Sequence, residues 1–398
     1  SFDEFKRIQR ETVAIPWVNT IASGPRGKAY YADITNVPNV PDAKVQVCST
    51  SAQAQALAAV VPGLPLLDGS RADCEWDNDA DAPAPGIFGP ANLPSLERDD
   101  WVGNFNDSYW LTNPAEPITG YDLIIGPEET ARSLRTRHGI VKQLNRAAGA
   151  DGFTGNQWTA DQLKQSVLDS HIYSADLGRD AVVAQTCALG TVLSSSGPTD
   201  VSEACAVLAA WDTSNNLDSV GGHVWREFWR DTQGANAFYL TPFSASDPVH
   251  TPRDVNAASP EVQQALGDAV NRIEGAGIAL DARLGSLQRA WFDPSIEIFG
   301  GEGNMEGAFT IANAGAIRAT GYPVTFGNSY IQVVTWEADG KGFRPLADAF
   351  VTYSQSTDPA SPHYNDFTRE YSKKAWKRLP FSAAEIRAER ISEVRLKD

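Results

Sequence analysis

The apolar residues of this chain change their period twice, and that pattern restricts the fold more than any single motif. Near the start, Ala14 to Ala22 and Lys28 to Ile34 are β-rich runs on either side of the turn Gly24-Pro25-Arg26-Gly27, which is a hairpin signal. From about residue 130 to about 290 the period becomes helical. Thr159 with Gln162 and Asp200 with Glu203 read as capping boxes. Ser259-Pro260-Glu261 supplies an N-cap, an N1 proline and an early acid before Val262, Leu266, Val270 and Ile273. The strand pattern returns in Tyr330 to Trp336 and Ala347 to Tyr353, separated by a polar, glycine-containing turn, and Ser382 with Glu385 opens a last helix. Strands towards both ends and helices between them predict an α+β fold whose sheet is interrupted by a helical insertion. The expected divisions are residues 1–130, 131–295 and 296–398.

At the very start, Ser1 and Glu4 form a capping box, and Phe2, Phe5, Ile8 and Thr12 share one helix face. This opening has no apolar signal region, so it reads as mature protein. An ammonium on the N-cap opposes the helix dipole, which hints at a piece of something longer. Residues 36–100 are rich in Pro, Asp, Asn and Gly and read as a long ordered loop region. Within it, Asp77-Asn78-Asp79-Ala80-Asp81 starts like a calcium loop, but Ala82 replaces the glycine and Phe88 the final glutamate. It reads as a solvated acidic turn, and no metal or cofactor is expected.

Composition removes some functions. With 398 residues, 42% of them hydrophobic, the chain can bury a large core. A net charge of −17 opposes binding to nucleic acid or to anionic membranes. No run approaches the ~18 apolar residues of a membrane span. Four cysteines, Cys48, Cys74, Cys187 and Cys205, fall in two pairs without zinc or redox spacing. The simple pairing is 48–74 and 187–205 in an oxidising compartment, each bridge contributing about 3 kcal/mol. Four buried free thiols are the alternative.

Common catalytic signatures are missing: there is no GxSxG elbow, HExxH or P-loop. Gly300-Gly301-Glu302-Gly303 fails dinucleotide spacing, and the run from Ser354 to His363 reads as turns rather than a triad. The unusual cluster is Asn104-Phe105-Asn106-Asp107-Ser108, followed by Tyr109-Trp110-Leu111-Thr112-Asn113-Pro114. Its polar groups need partners if buried. A turn held by Asx bonds is the first reading and an oxyanion-binding amide the second; Asn106-Asp107-Ser108 also fits a glycosylation acceptor.

Read together, several segments resemble the penicillin acylase family of N-terminal nucleophile hydrolases. They are Ile15 to Thr20, Asn104 to Pro114, Arg132 to Arg137, Trp211-Asp212, Asn216 to Ser219, Gly300 to Gly303, Gly327 to Gln332 and Tyr353 to Tyr364. The order is kept from end to end, and the likeness is greatest to the branch of acyl-homoserine lactone, aculeacin A and cyclic lipopeptide acylases. The resemblance implies an αββα fold and a precursor cut into a small α chain and a large β chain. The new N-terminal serine of the β chain attacks the amide carbonyl, with its own amino group as base. It further implies that Asn106 donates to the oxyanion and that Arg132, with Arg135 as the fallback, orients the asparagine. Trp17 and Val18 would wall the acyl pocket; core packing is the alternative for both.

In the family the nucleophile lies well upstream of the segment matching Ile15 to Thr20, whereas Ser1 here is followed by Phe2 rather than the family's asparagine. The expectation is therefore the C-terminal part of a β chain, with the serine on another chain of the same precursor. The expected activity is removal of an acyl chain from an acyl-homoserine lactone or lipopeptide, in the periplasm or outside the cell. A penicillin is the alternative substrate. A secreted carbohydrate-binding module and a degenerate homologue are the non-catalytic alternatives.

Overall fold

The computed structural model describes residues 1–232, 238–338, 340 and 342–396. The chain divides into two compact units, Ser1–Arg132 with Phe243–Val249, and Ser133–Pro242 with His250–Asp398.

In the first unit, the helix Phe2–Thr12 starts on the expected box, with Ser1 Oγ accepting from the Glu4 amide at 3.1 Å. Its inner face differs from the one expected. Phe2 and Phe5 meet Tyr30 edge-on, but Ile8 and Thr12 are exposed, and the buried residue is Gln9. Gln9 is tolerated there because its amide donates to Thr20 Oγ1 at 2.8 Å and accepts from the Tyr30 hydroxyl at 3.2 Å. The helix ends at Val13, a β-branched residue with a φ of 45°. That conformation costs about 1–2 kcal/mol, and full burial of the valine side chain offsets it with a comparable gain.

The expected hairpin forms: Thr20–Ser23 pairs antiparallel with Ala29–Ala32, and Ser95–Arg98 adds to the other edge of Ala29–Ala32. The first strand is shorter than the run Ala14 to Ala22 suggested. Ile15 makes a single bridge to Thr35, and Trp17 sits in a bend. The region 36–100 is also less loop-like than expected, since it contains the helices Asp42–Cys48 and Ala52–Val60. Cys48 and Cys74 are joined, as are Cys187 and Cys205 in the second unit, and no cysteine is free. The acidic turn is organised rather than merely solvated. Burial pushes the Asp79 carboxyl up, but bonds from Gly89 N–H, Asn92 and Asn39 outweigh this and hold it below the usual carboxylate range.

The second unit is built on helices, notably Leu134–Ala148, Ala160–Val167, Gly222–Thr232 and Pro260–Gly275. The Thr159 capping box and the Ser259 cap form as expected, and Val262, Leu266, Val270 and Ile273 are all buried beside Trp225, Phe228 and Trp229. Asp200 departs from expectation. The helix is Ser202–Ala210 with Val201 at its N-cap, and the Asp200 carboxylate accepts from the Ser202 amide instead of closing a box. Tyr330–Ala338 and Phe343–Val351 form a long antiparallel pair, with Lys377–Leu379 along the free edge of the second. Asp339 and Lys341, in the expected turn between them, lie outside the described residues. Among the described residues the strands form six sheets of two or three strands each, an α+β arrangement. No helix among them is long and apolar enough to cross a membrane.

Candidate active-site segment

Asn106 lies at the tip of a tight loop. Its φ of 58° is in the left-handed region, which asparagine tolerates better than most residues, and it is exposed. The Asn104 side chain grips the loop from inside: Oδ1 accepts from the Asn106 amide at 3.0 Å, and Nδ2 donates to the Asp107 carbonyl at 3.1 Å. The Ser108 hydroxyl donates to the Pro127 carbonyl at 2.6 Å and accepts from the Trp110 amide, starting the short turn Tyr109–Leu111. Tyr109, Trp110 and Leu111 are buried, so the loop stands on a hydrophobic footing. The turn reading of this cluster is thus correct, and the turn presents Asn106 outward.

Arg132 grips the same loop from behind. Its side chain is 1% exposed, and Nη1 donates to Asp107 Oδ1 at 2.6 Å. Nε donates to the Thr130 carbonyl at 3.0 Å, while Nη2 donates to the Pro127 carbonyl at 3.1 Å and to Thr130 Oγ1 at 2.5 Å. The guanidinium also stacks over Trp110, 5.1 Å from the ring centre. Such a stack contributes ~0.5–2 kcal/mol, more as water is excluded. Its planar fork meets several acceptors at once, which a lysine cannot. The arginine reaches the neighbour of Asn106 rather than its amide. Arg135 belongs to the first turn of the helix Leu134–Ala148 in the second unit, where Nε donates to Asn304 Oδ1 at 3.0 Å.

Trp17 and Val18 lie in the same unit as Asn106 and Arg132. Trp17 is 82% exposed and Val18 50%, so neither packs into this chain's core. The segment is tied down one residue later, where the buried Tyr31 hydroxyl donates to Asn19 Oδ1. Tyr31 shares a core cluster with Tyr109, so the same buried aromatics underlie the Trp17 segment and the Asn106 loop. Tyr109 is fixed in turn by Glu128, whose carboxylate accepts from its hydroxyl at 2.7 Å and from the Gly120 and Tyr121 amides. Asn104, Tyr31 and Glu128 were missed in the sequence. Only the Asn-x-Asn spacing at 104 and 106 could have flagged the first.

In the other candidate stretch, Asp366 lies between His363 and Ser354 rather than the histidine facing the serine, so the order of a Ser–His–Asp triad is not formed. His363 Nδ1 lies 2.8 Å from Asp366 on an exposed turn, and Ser354 meets Thr368. Four of the eleven tryptophans that suggested a carbohydrate surface belong elsewhere: Trp110, Trp211, Trp225 and Trp229 are all buried.

The fold has a solved counterpart. The penicillin G acylase of Alcaligenes faecalis matches the whole chain with a TM-score of 0.51 at 14% identity, over 70% of its own length. At that identity the likeness is one of fold alone. Sequence narrows it further: residues 1–388 match the penicillin amidase family, and the chain belongs to that family. The aculeacin-A acylase of Actinoplanes utahensis is 39% identical over 94% of the chain and 47% of its own length. The acyl-homoserine lactone acylase PvdQ of Pseudomonas savastanoi pv. phaseolicola is 31% identical over 99% and 48%. The chain spans about half the length of these curated relatives.

Proposed function

We propose that this chain forms part of an amide hydrolase that removes an acyl chain from an N-acyl amide such as an acyl-homoserine lactone or a lipopeptide. In this reading an N-terminal serine on another chain of the same precursor attacks the carbonyl, and its amino group takes the proton. The Asn106 side-chain NH2 donates to the oxygen as negative charge develops there. Arg132 holds the loop, through Asp107, in the geometry that the donor needs. Trp17 and Val18 lie against the acyl chain, each methylene they cover contributing about 0.8 kcal/mol to binding. The observation that carries this reading is a doubly gripped loop, left-handed at its tip, whose exposed tip residue is an amide. The similarity to an aculeacin-A acylase and an acyl-homoserine lactone acylase favours long acyl amides over penicillins, because the penicillin G acylase likeness extends to fold alone. Two disulfides support a periplasmic or secreted setting.

The test is Asn106→Ala in the complete protein, with intact-mass and N-terminal analysis of its chains. Loss of one oxyanion donor is expected to lower kcat ~10²–10³-fold, with a companion chain starting at serine. Unchanged turnover at saturating substrate removes Asn106 from the oxyanion site. A protein with no such companion chain leaves a degenerate, non-catalytic homologue.

A further inference from the structure

We infer that Asn104 is the positioning residue of the Asn106 amide; this rests on the oxyanion reading above. The one Asn104 side chain holds the peptide unit that precedes Asn106 and the one that follows Asp107. Its carbonyl oxygen accepts from the Asn106 N–H at 3.0 Å and its NH2 donates to the Asp107 carbonyl at 3.1 Å. Between those two anchors the backbone of Asn106 is held at a φ of 58°, in the left-handed region that asparagine enters more readily than most residues. The direction of the Asn106 Cα–Cβ bond follows from that backbone, so the Asn104 clamp sets the base from which the amide reaches out.

The chemistry selects asparagine at 104. An aspartate keeps the acceptor but loses the donor to the Asp107 carbonyl. A glutamine is one methylene too long for the same closed ring, and a serine offers a single atom for both tasks. The Arg132–Asp107 pair works from the opposite side, at 2.6 Å, and fixes the carboxylate of the following residue rather than the backbone at Asn106. The two grips are therefore distinct. Arg132 seats the loop on the unit, and Asn104 shapes its tip.

A catalytic donor must sit within about 0.5 Å of its productive position, and a misplacement of ~1 Å costs on the order of 10²-fold in rate. Asn104→Ala in the complete protein is thus expected to lower kcat by ~10–100-fold while KM changes less than about twofold. The deciding measurement is a double-mutant cycle against Asn106→Gly, which removes the amide but accepts a positive φ without strain. Because Asn104 acts through Asn106, adding Asn104→Ala to Asn106→Gly should change kcat little further. An equal fold-loss in both backgrounds overturns the proposal, since the residue then acts on the fold or on another group. An unchanged kcat for Asn104→Ala also overturns it. If Asn106→Gly alone leaves kcat intact, the oxyanion reading itself fails, a result distinct from the other two. Should Asn104→Ala not accumulate as folded protein, Asn104→Asp enters the same cycle. It removes the donor and keeps the acceptor, and it is expected to lose kcat in the Asn106 background alone.

Discussion

Arg132 shows how much one buried cation can organise. Four of its donor contacts end on Asp107, Pro127 and Thr130, and its plane lies on Trp110. A lysine has the charge but a single nitrogen, so it could satisfy only part of this set and would leave buried acceptors unpaired, at about 1–3 kcal/mol each. Arg132→Lys is expected to destabilise the first unit by about 2–3 kcal/mol and to lower kcat. Urea unfolding at unchanged m-value checks the first part, and a wild-type midpoint would contradict it. At this scale the unusual setting of amides among aromatics marked the Asn104 to Pro114 cluster, whereas the choice of Asn106 and Arg132 came from the family resemblance. The sequence was silent on what Asn104 and Gln9 do. Their roles depend on the backbone φ of a neighbour or on a hydroxyl brought close by folding, and no periodic pattern encodes either.

Among the elements, the helix Gly222–Thr232 carries a consequence for pH. His223 on this helix is buried, with Nε2 3.1 Å from the Ala279 carbonyl, and burial pushes its imidazole down to about 4. The unfolded chain titrates near 6.5, so between the two values it binds more protons than the fold does. Stability is full above about 6.5 and is lost as the pH falls towards 4. At pH 5 the loss from this one residue is about 2 kcal/mol. His138, buried and stacked on Tyr173, is displaced in the same direction by burial and adds to the effect. Denaturation midpoints at pH 7 and pH 5 should therefore differ, and His223→Gln should reduce the difference without abolishing it; an equal difference in the variant would exclude His223 as a source.

Helices with a cap and an apolar stripe were legible, as Thr159 and Ser259 show, and the capping box at Ser382 alone marked the last helix. The helix Ala52–Val60 was not, because its alanine-rich run has no one-sided pattern and lies mostly exposed. Alanine's helix propensity was the signal available there. Around Trp17 the error ran the other way: β-rich residues suggested a strand, but Pro16 and the bend at Trp17 leave the backbone without a ladder partner until Thr20.

For the molecule as a whole, the α+β class could be read from the alternation of periods, and the family from motif order, because both are distributed over the entire chain. The small sheets were not readable, since short strands whose partners lie far off in sequence leave weak local signals. The exposed indole of Trp17 has a consequence of another kind. An indole in water emits at longer wavelength than one enclosed by apolar groups, and the large core tryptophans Trp225 and Trp229 are fully enclosed. The emission difference between the complete protein and its Trp17→Phe variant isolates that one ring. An acyl chain lying against it should move this difference spectrum to shorter wavelength, more so as the chain lengthens. A spectrum unmoved at saturating long-chain amide would take Trp17 out of the binding surface. The most exposed tryptophan among the described residues thus serves as its own optical gauge of acyl length.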